Sequence, residues 1–347
     1  MKIIVVGEGV AASRTPQRVN ALKELGHEVI FISTTVPGQT YEDKPSLIKR
    51  IRHKLRIPSD LSNAGQVLLD SVKKGADFIW LDNVNMIKKY ILYQASRSIP
   101  LIWYSEDDMM NKAHGSVYLD RSLDLFTLWA TTKSFNTLPA EMPSRGVKNI
   151  LFVNNSYDPT IHNNTDVSPE DIIQFGADIS FVGTFEIFRA NSILYLAQNG
   201  LKVRIWGNGW HNWVNKHDNI IIENKPVYQL DYVKVICSSK VNLCFLRKFN
   251  RDLQTCRSVE IPACGGFMVH ERNSEITSLF TEDKEAVYFN NDKELLATCR
   301  YWLDNNEERK KVASNGYNKV RKIGLSHHDL VSKILQTAQR IKNESTS

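Results

Sequence analysis

The sequence predicts an α/β protein of two doubly wound domains, and three observations lead there. Its apolar runs are short and continuous rather than alternating, as expected of parallel strands buried on both faces. Between them lie stretches of helical period, some closed by glycine. The alternation also runs twice, with an interruption rich in Asn, Ser, Asp and Pro near the middle. A length of 347 residues suits two domains of ordinary size and is long for one core.

In the first half, residues 3–6, 28–32, 77–81, 100–104, 126–131 and 149–153 read as strands. Residues 16–25, 63–74, 85–97 and 133–142 carry helical spacing, with Gly26 and Gly75 as stop signals after the first two. Residues 154–171 show no period and read as a linker. Strands are then expected at 178–182, 203–206, 219–222, 240–245, 267–270 and 286–289. Helices are expected at 187–199, 228–237, 256–263, 292–305, 307–323 and 327–341. The expected domains are 1–155 and 156–325, with a C-terminal helix at 326–347 that can cross back to the first domain. Two such sheets facing one another would leave a cleft at the carboxyl ends of their strands, where doubly wound sheets bind ligands.

A composition of 42% hydrophobic and 24% charged residues, with 17 Gly and 11 Pro, excludes a disordered, collagen-like or low-complexity chain. The net charge of +6 is unevenly spread. Residues 1–155 hold 20 basic and 15 acidic side chains, whereas 156–347 hold 24 and 23. Six cations fall between Lys44 and Arg56 with no acid among them, so an anionic partner is expected there. The five cysteines lie in the second half without C-x-x-C spacing, which favours buried reduced thiols and a cytoplasmic protein. The apolar start at residues 1–6 stops at Gly7, too short for a signal segment. No apolar run approaches the roughly 20 residues of a membrane helix.

Gly7-Glu8-Gly9-Val10-Ala11-Ala12 matches G-x-G-x-x-A after a strand, the pattern of dinucleotide binding. That reading needs an acid at the end of the second strand to hold a ribose, and the strand ends Phe31-Ile32-Ser33-Thr34. NAD is therefore not expected, and the absence of G-x-x-x-x-G-K-[ST] excludes a P-loop. The most informative segment is NRDLQTCRSVEIPACGGF, residues 250–267. A helix starting near Cys256 puts Arg257 in its first turn and Glu260 one turn later on the same face. First-turn amides with Arg257 suit a diphosphate, and Glu260 can accept from ribose hydroxyls. The bland alternative is an i,i+3 surface ion pair.

This segment resembles the D/E-x7-E region of nucleotide-sugar glycosyltransferases of the GT-B fold, in particular the spore-maturation (CgeB-like) group, through Asp252, Arg257, Glu260, Ala263, Cys264, Gly265 and Gly266. The likeness extends to Gly183-Thr184 with Arg189 beyond, to Ile205-Trp206-Gly207-Asn208-Gly209-Trp210, to Thr131–Asn136 and to Phe152–Asp158. It implies a GT-B protein of two Rossmann-like domains, the first for the acceptor and the second for the donor. The implied roles are Glu260 on the ribose, Arg257 and Arg189 on the diphosphate, and Asp252 at the donor sugar. Gly183, Thr184 and Gly207 would let the backbone close on the phosphates, and Lys225 and Val227 would supply backbone contacts to the base. The co-substrate would be a UDP- or GDP-sugar, with no metal and no further cofactor. Asp252 stands where many relatives have Glu, which bears on the donor sugar.

Transfer to a hydroxyl calls for a base in an inverting enzyme. Residues Glu106, Asp107 and Asp108 follow a strand, so Asp107 or Asp108 is the expected base or acceptor-positioning group, with Glu8 next and His114 nearby. Capping of the following turn is the competing reading of these acids. Trp206, Trp210 and Trp213 read mainly as packing residues. Residues 47–57 form an expected basic amphipathic helix, with Leu47, Ile48, Ile51 and Leu55 on one stripe and Lys49, Arg50, Arg52 and Lys54 as an acceptor or anionic surface. The leading expectation is hexosyl or pentosyl transfer to an anionic acceptor, a glycan, a lipid carrier or DNA. A narrower version is a phage-type enzyme acting on a hydroxymethylated base. The alternatives of another class are a nucleotide-sugar epimerase and a non-catalytic sugar-nucleotide binder.

Overall fold

The continuous apolar runs of the first half form β1 (Lys2–Gly7), β2 (Glu28–Ser33), β3 (Phe78–Asp82), β4 (Leu101–Ser105), β5 (Phe126–Thr131) and β6 (Ile150–Phe152). They make one parallel six-stranded sheet of order β2-β1-β3-β4-β5-β6. The helices are α1 (Arg14–Glu24), α2 (Leu47–Lys54), α3 (Ala64–Val72), α4 (Lys89–Ser96) and the short α5 (Val117–Asp120). This computed structural model describes residues 1–344 except Ala11, Ala12, Tyr41, Glu42, Lys44 and Pro45. Part of the glycine-loop motif and the first cation of the basic stretch thus lie outside the described residues.

The second half supplies α6 (Pro169–Phe175), β7 (Ala177–Val182), α7 (Ile187–Gln198), β8 (Val203–Trp206), β9 (Ile220–Ile222), α8 (Gln229–Ser238) and β10 (Ser239–Cys244). It continues with α9 (Arg257–Ala263), β11 (Met268–Glu271), α10 (Ser274–Leu279), β12 (Val287–Phe289), α11 (Asp292–Asp304), α12 (Asn306–Lys322) and α13 (His327–Glu344). Its sheet is also parallel, in the order β12-β11-β10-β7-β8-β9. The chain divides into two units, Met1–Asn154 with His327–Ser347, and Asn155–Ser326.

In the first unit, Ile3 and Val5 of β1 point to one face and Ile4 and Val6 to the other, as strand alternation requires. One face is covered by Leu68 of α3 and Ile91 and Leu92 of α4, with Trp103 and Trp129 stacked at 4.8 Å. The other face is covered by Val19 and Leu22 of α1 and by Leu330, Val331, Ile334 and Leu335 of α13. In the second unit α7 and α11 cover one face, through Ile193, Leu196, Leu295 and Cys299. Val233 and Ile236 of α8 and Val259 and Ile261 of α9 cover the other.

Three expectations need correction. Residues 133–142 do not form an α-helix but two 3-10 turns, Ser134–Thr137 and Met142–Arg145. Pro139 holds Leu138 extended at ψ 146° and brings no N–H, so the helix cannot pass. Residues 154–171 are not a loose linker, because Asn155, Ser156, Tyr157, Asp158 and His162 are buried. Helix α6 also starts within that stretch, where the side chain of Ser168 and that of Asp171 form a capping box. The helix expected at 85–97 begins only at Lys89, because Val84 and Ile87 pack into the core ahead of it. Among the described residues no helix is long and apolar enough to cross a membrane, and no group of three or more His, Cys, Asp or Glu is placed to hold a metal ion.

Candidate active site

Strand order reverses between β7 and β10 in the second sheet, and at such a point the loops diverge and open a ligand crevice at the strand ends. Beyond β7 the chain turns at Gly183, against the backbone of the loop that follows β8. Gly183 donates its N–H to the Trp206 carbonyl at 2.8 Å, and its own carbonyl accepts from Trp210 Nε1 at 2.9 Å. A Cβ on Gly207 would lie 2.1 Å from that carbonyl, and its φ of 145° also disfavours any side chain. Thr184 is exposed beside Gly183, and its carbonyl accepts from Arg189 Nη1 at 2.9 Å.

Arg189, from the first turn of α7, is buried with its guanidinium over the ring of Phe181. Its Nη2 lies 3.3 Å from Glu186, yet Nη2 and Nε make no hydrogen bond. Burial and the neighbouring Arg257 pull its pKa down to about 10. The turn therefore holds a desolvated cation that is incompletely paired.

Beyond β10 the chain brings in Asp252, buried, which accepts from Asn250 Nδ2 at 2.7 Å. Helix α9 follows with Arg257 and Glu260. The alternative of an i,i+3 ion pair does not hold, because Arg257 makes no ion pair among the described residues and its Nε is buried without a hydrogen bond. The first-turn amides contribute less than the sequence suggests. Ser258 N–H donates to the Thr255 carbonyl and Val259 N–H to the Cys256 carbonyl, both at 3.0 Å. Positive charge here comes from side chains. Ser258 Oγ also accepts from the Thr255 amide at 2.9 Å and lies 2.8 Å from His270 Nε2, which pins the start of α9 from below.

Glu260 is buried, with His162 Nε2 3.9 Å from its carboxylate. The Tyr232 hydroxyl is buried without a hydrogen bond, and burial followed by the charge of Glu260 pushes its pKa up. His162 and Tyr232 were not foreseen. A lone histidine in a polar stretch and one tyrosine in an amphipathic helix carry no motif. Lys225 is exposed, and its carbonyl accepts from Gly207 N–H at 2.9 Å. Val227 turns its side chain into the core, leaving its backbone as the part able to meet a ligand. Trp206 and Trp210 are core residues on opposite faces of the second sheet, and Trp213 packs on the side of Trp210. All five cysteines are free, four of them buried.

The remaining candidates belong to the first unit. The acidic run after β4 separates into three environments. Glu106 binds Arg18 Nη1 at 2.8 Å, while Arg18 also clamps Asp82 with two bonds of 2.7 Å. Asp107 accepts from Asn83 Nδ2 at 3.2 Å and lies 3.9 Å from His114 Nδ1. Asp108 is not at an open edge as expected. It is buried, and its carboxylate accepts from Asn136 Nδ2 at 3.0 Å and the Met110 amide at 3.1 Å. Glu8 is half-buried in the loop after β1. In that loop a Cβ on Gly9 would meet Ser33 Oγ at 2.2 Å and one on Gly7 would meet Thr15 at 2.6 Å, so close packing explains both glycines.

Residues 189–336 match the family described as Glycosyl transferase-like, and this match does not single out the spore-maturation group. No curated protein matches the chain in sequence. Solved structures of the same fold include a glycosyltransferase from Rickettsia africae, 13% identical, with a TM-score of 0.67 and 98% of each chain covered. Anabaena Alr3699/HepE in complex with UDP and glucose is 12% identical, with a TM-score of 0.62 over 99% of this chain and all of the other. Sucrose-phosphate synthase from Thermosynechococcus elongatus is 11% identical, with a TM-score of 0.65 over 100% of this chain and 99% of that one. Along its whole length the chain thus shares the two-domain GT-B fold of these structures, and within it residues 189–336 match the glycosyl transferase-like family.

Proposed function

We propose that the second unit binds a nucleoside diphosphate sugar and that the protein transfers its hexosyl or pentosyl group to an acceptor hydroxyl. The observation that carries this reading is the neighbouring pair Arg189 and Arg257, which leave Arg189 Nε and Nη2 and Arg257 Nε buried without acceptors. Two like charges, buried Arg189 and half-buried Arg257, favour an anion bound to both, and a diphosphate matches their fork geometry. Glu260 takes the ribose hydroxyls, Asp252 meets the donor sugar, and Gly183, Thr184 and Gly207 admit the phosphates. Lys225 and Val227 offer backbone groups to the base. UDP is the first nucleotide to test, because the Anabaena protein of the same fold holds UDP. GDP is the second.

In the reaction the anomeric carbon forms a bond to the acceptor oxygen and loses its bond to the diphosphate oxygen. The electron pair of the broken bond leaves with the diphosphate, and the two guanidinium groups stabilise the growing charge. Asp107 is the proposed base that takes the acceptor proton if the reaction inverts. Lys49, Arg50, Arg52 and Lys54 favour an anionic surface around the acceptor. The five free thiols fit a reducing cytoplasm.

Calorimetric titration with UDP- and GDP-sugars tests the donor assignment. Glu260→Ala is expected to weaken binding at least about tenfold with the fold intact by circular dichroism, and unchanged affinity refutes the site. A donor panel offered with glycans, lipid carriers and modified DNA, read by mass gain, identifies the acceptor. Isomerisation of the free sugar nucleotide without transfer indicates an epimerase instead.

A further inference from the structure

Helix α2 buries none of its residues. Its Leu47, Ile48 and Ile51, with the adjoining Leu55, are exposed at 69%, 71%, 50% and 59%. Four large aliphatic side chains on one short segment are far more than scattered surface apolarity. At about 100° per residue, Leu47, Ile51, Leu55 and Ile48 fall within one arc of roughly 100°. Arg52 and Lys54 flank the two borders of that arc, and Lys49, Arg50 and His53 occupy the opposite side. None of Lys49, Arg50, Arg52 and Lys54 makes an ion pair among the described residues.

The helix is presented rather than loosely attached. Arg56, just beyond it, takes φ 59° and reaches back with Nη2 to Asp120 at 2.7 Å and with Nε to the Lys112 carbonyl at 2.8 Å. Asp120 is held in turn by Arg145 Nη2 at 2.6 Å. Arg56, counted among the six cations of the basic stretch, is thus an internal clamp and not part of the free surface. At the other end the Ser46 side chain caps the helix by accepting from the Lys49 amide at 3.3 Å.

We propose that α2 is an interfacial anchor that lies in the headgroup region of an anionic phospholipid bilayer, its Leu and Ile arc toward the acyl chains. Lys54 stands where its stem can follow the apolar boundary while its charge reaches lipid phosphates, and half-buried Arg52 borders the other side with its Nε covered. Charge alone would suit a nucleic acid equally. The apolar arc decides for lipid, because phosphate backbones offer nothing to bury four aliphatic side chains. This inference stands apart from the donor chemistry, since lipid binding needs no sugar nucleotide.

Sedimentation of the full chain with vesicles tests it. Vesicles of phosphatidylglycerol and phosphatidylcholine are expected to bind at least about tenfold more protein than phosphatidylcholine alone, with loss of binding at high salt. The double variant Ile48→Ser and Ile51→Ser keeps every charge, and its binding should fall about tenfold. The quadruple variant Lys49→Gln, Arg50→Gln, Arg52→Gln and Lys54→Gln should lose the preference for anionic vesicles. Circular dichroism and UDP titration of the serine variant report that the fold persists. Absence of vesicle binding by the parent protein overturns the proposal. So does a serine variant that binds as well as the parent, or preferential binding of duplex DNA over vesicles that the serine changes leave intact.

Discussion

His162 Nε2 lies 3.9 Å from Glu260 Oε1, and Nδ1 of the same ring accepts the Asp158 amide hydrogen at 3.0 Å. Because Nδ1 is an acceptor, the proton of the neutral ring sits on Nε2, toward the carboxylate. The ring thus turns an N–H toward Glu260 from 3.9 Å, just beyond direct hydrogen-bond reach. His162→Ala should weaken binding of UDP or GDP about three- to tenfold while Tm changes little, and calorimetry with a parallel melting curve measures both.

A carboxylate that holds vicinal hydroxyls makes a specific demand on the nucleotide. The parent protein should bind UDP at least about tenfold more tightly than its 2′,3′-dideoxy analogue, since each lost bond to a charged acceptor costs about 1.5–3 kcal/mol. In Glu260→Ala the two should bind alike. Equal discrimination in parent and variant would move the ribose elsewhere.

Arg189 ties binding to stability with opposite signs. Its cation is disfavoured in the folded state, with a pKa pulled below the usual guanidinium range to about 10, chiefly by burial and then by Arg257. The unfolded chain holds this proton more firmly, so the empty protein bears the full penalty below about pH 10 and sheds it progressively as the pH rises beyond that. Arg189→Met should raise the stability of the empty protein by on the order of 1 kcal/mol, a few degrees in Tm, and weaken UDP binding about tenfold to a hundredfold. In the parent protein UDP affinity should fall as the pH passes about 10. Thermal melts with and without UDP across that range check the sign.

Gly207 and Gly183 face one another closely enough that a single methyl group is excluded. Gly207→Ala would put Cβ 2.1 Å from the Gly183 carbonyl at a φ of 145°, and should destabilise the protein by about 2–4 kcal/mol. UDP should bind more weakly as well, because relief of the clash displaces the Gly183–Thr184 turn. Urea denaturation and titration report the two effects separately.

Both sheets were legible because parallel strands demand continuous apolar runs such as Ile3 to Val6 and Ile205-Trp206, and little else in a sequence looks like that. Arg257 and Glu260 were legible because four residues of helix fix their common face. What escaped was long-range. His162 reaches Glu260 from almost 100 residues away, through the stretch whose polar composition suggests a linker. Asn155 in the same stretch is buried because its amide donates to Gln254 Oε1 at 2.9 Å, a partner no local pattern announces. Local signals were also overlooked: Ser168, Pro169 and Asp171 spell a helix start, and Pro139 forbids the helix expected across it. Asp108 looked like an exposed acid at a strand end until Asn136 closed over it.

The excursion of the chain through the second unit and back has a consequence for biosynthesis. A ribosome releases the second unit complete before α13 emerges, yet Leu330, Val331, Ile334 and Leu335 of α13 are part of the core that the first sheet needs. The half made first is thus the half finished last. Until then that face has α1 but not α13 upon it, so Leu128 and Ala130 of β5 lack their cover and are open to chaperones and to misassembly.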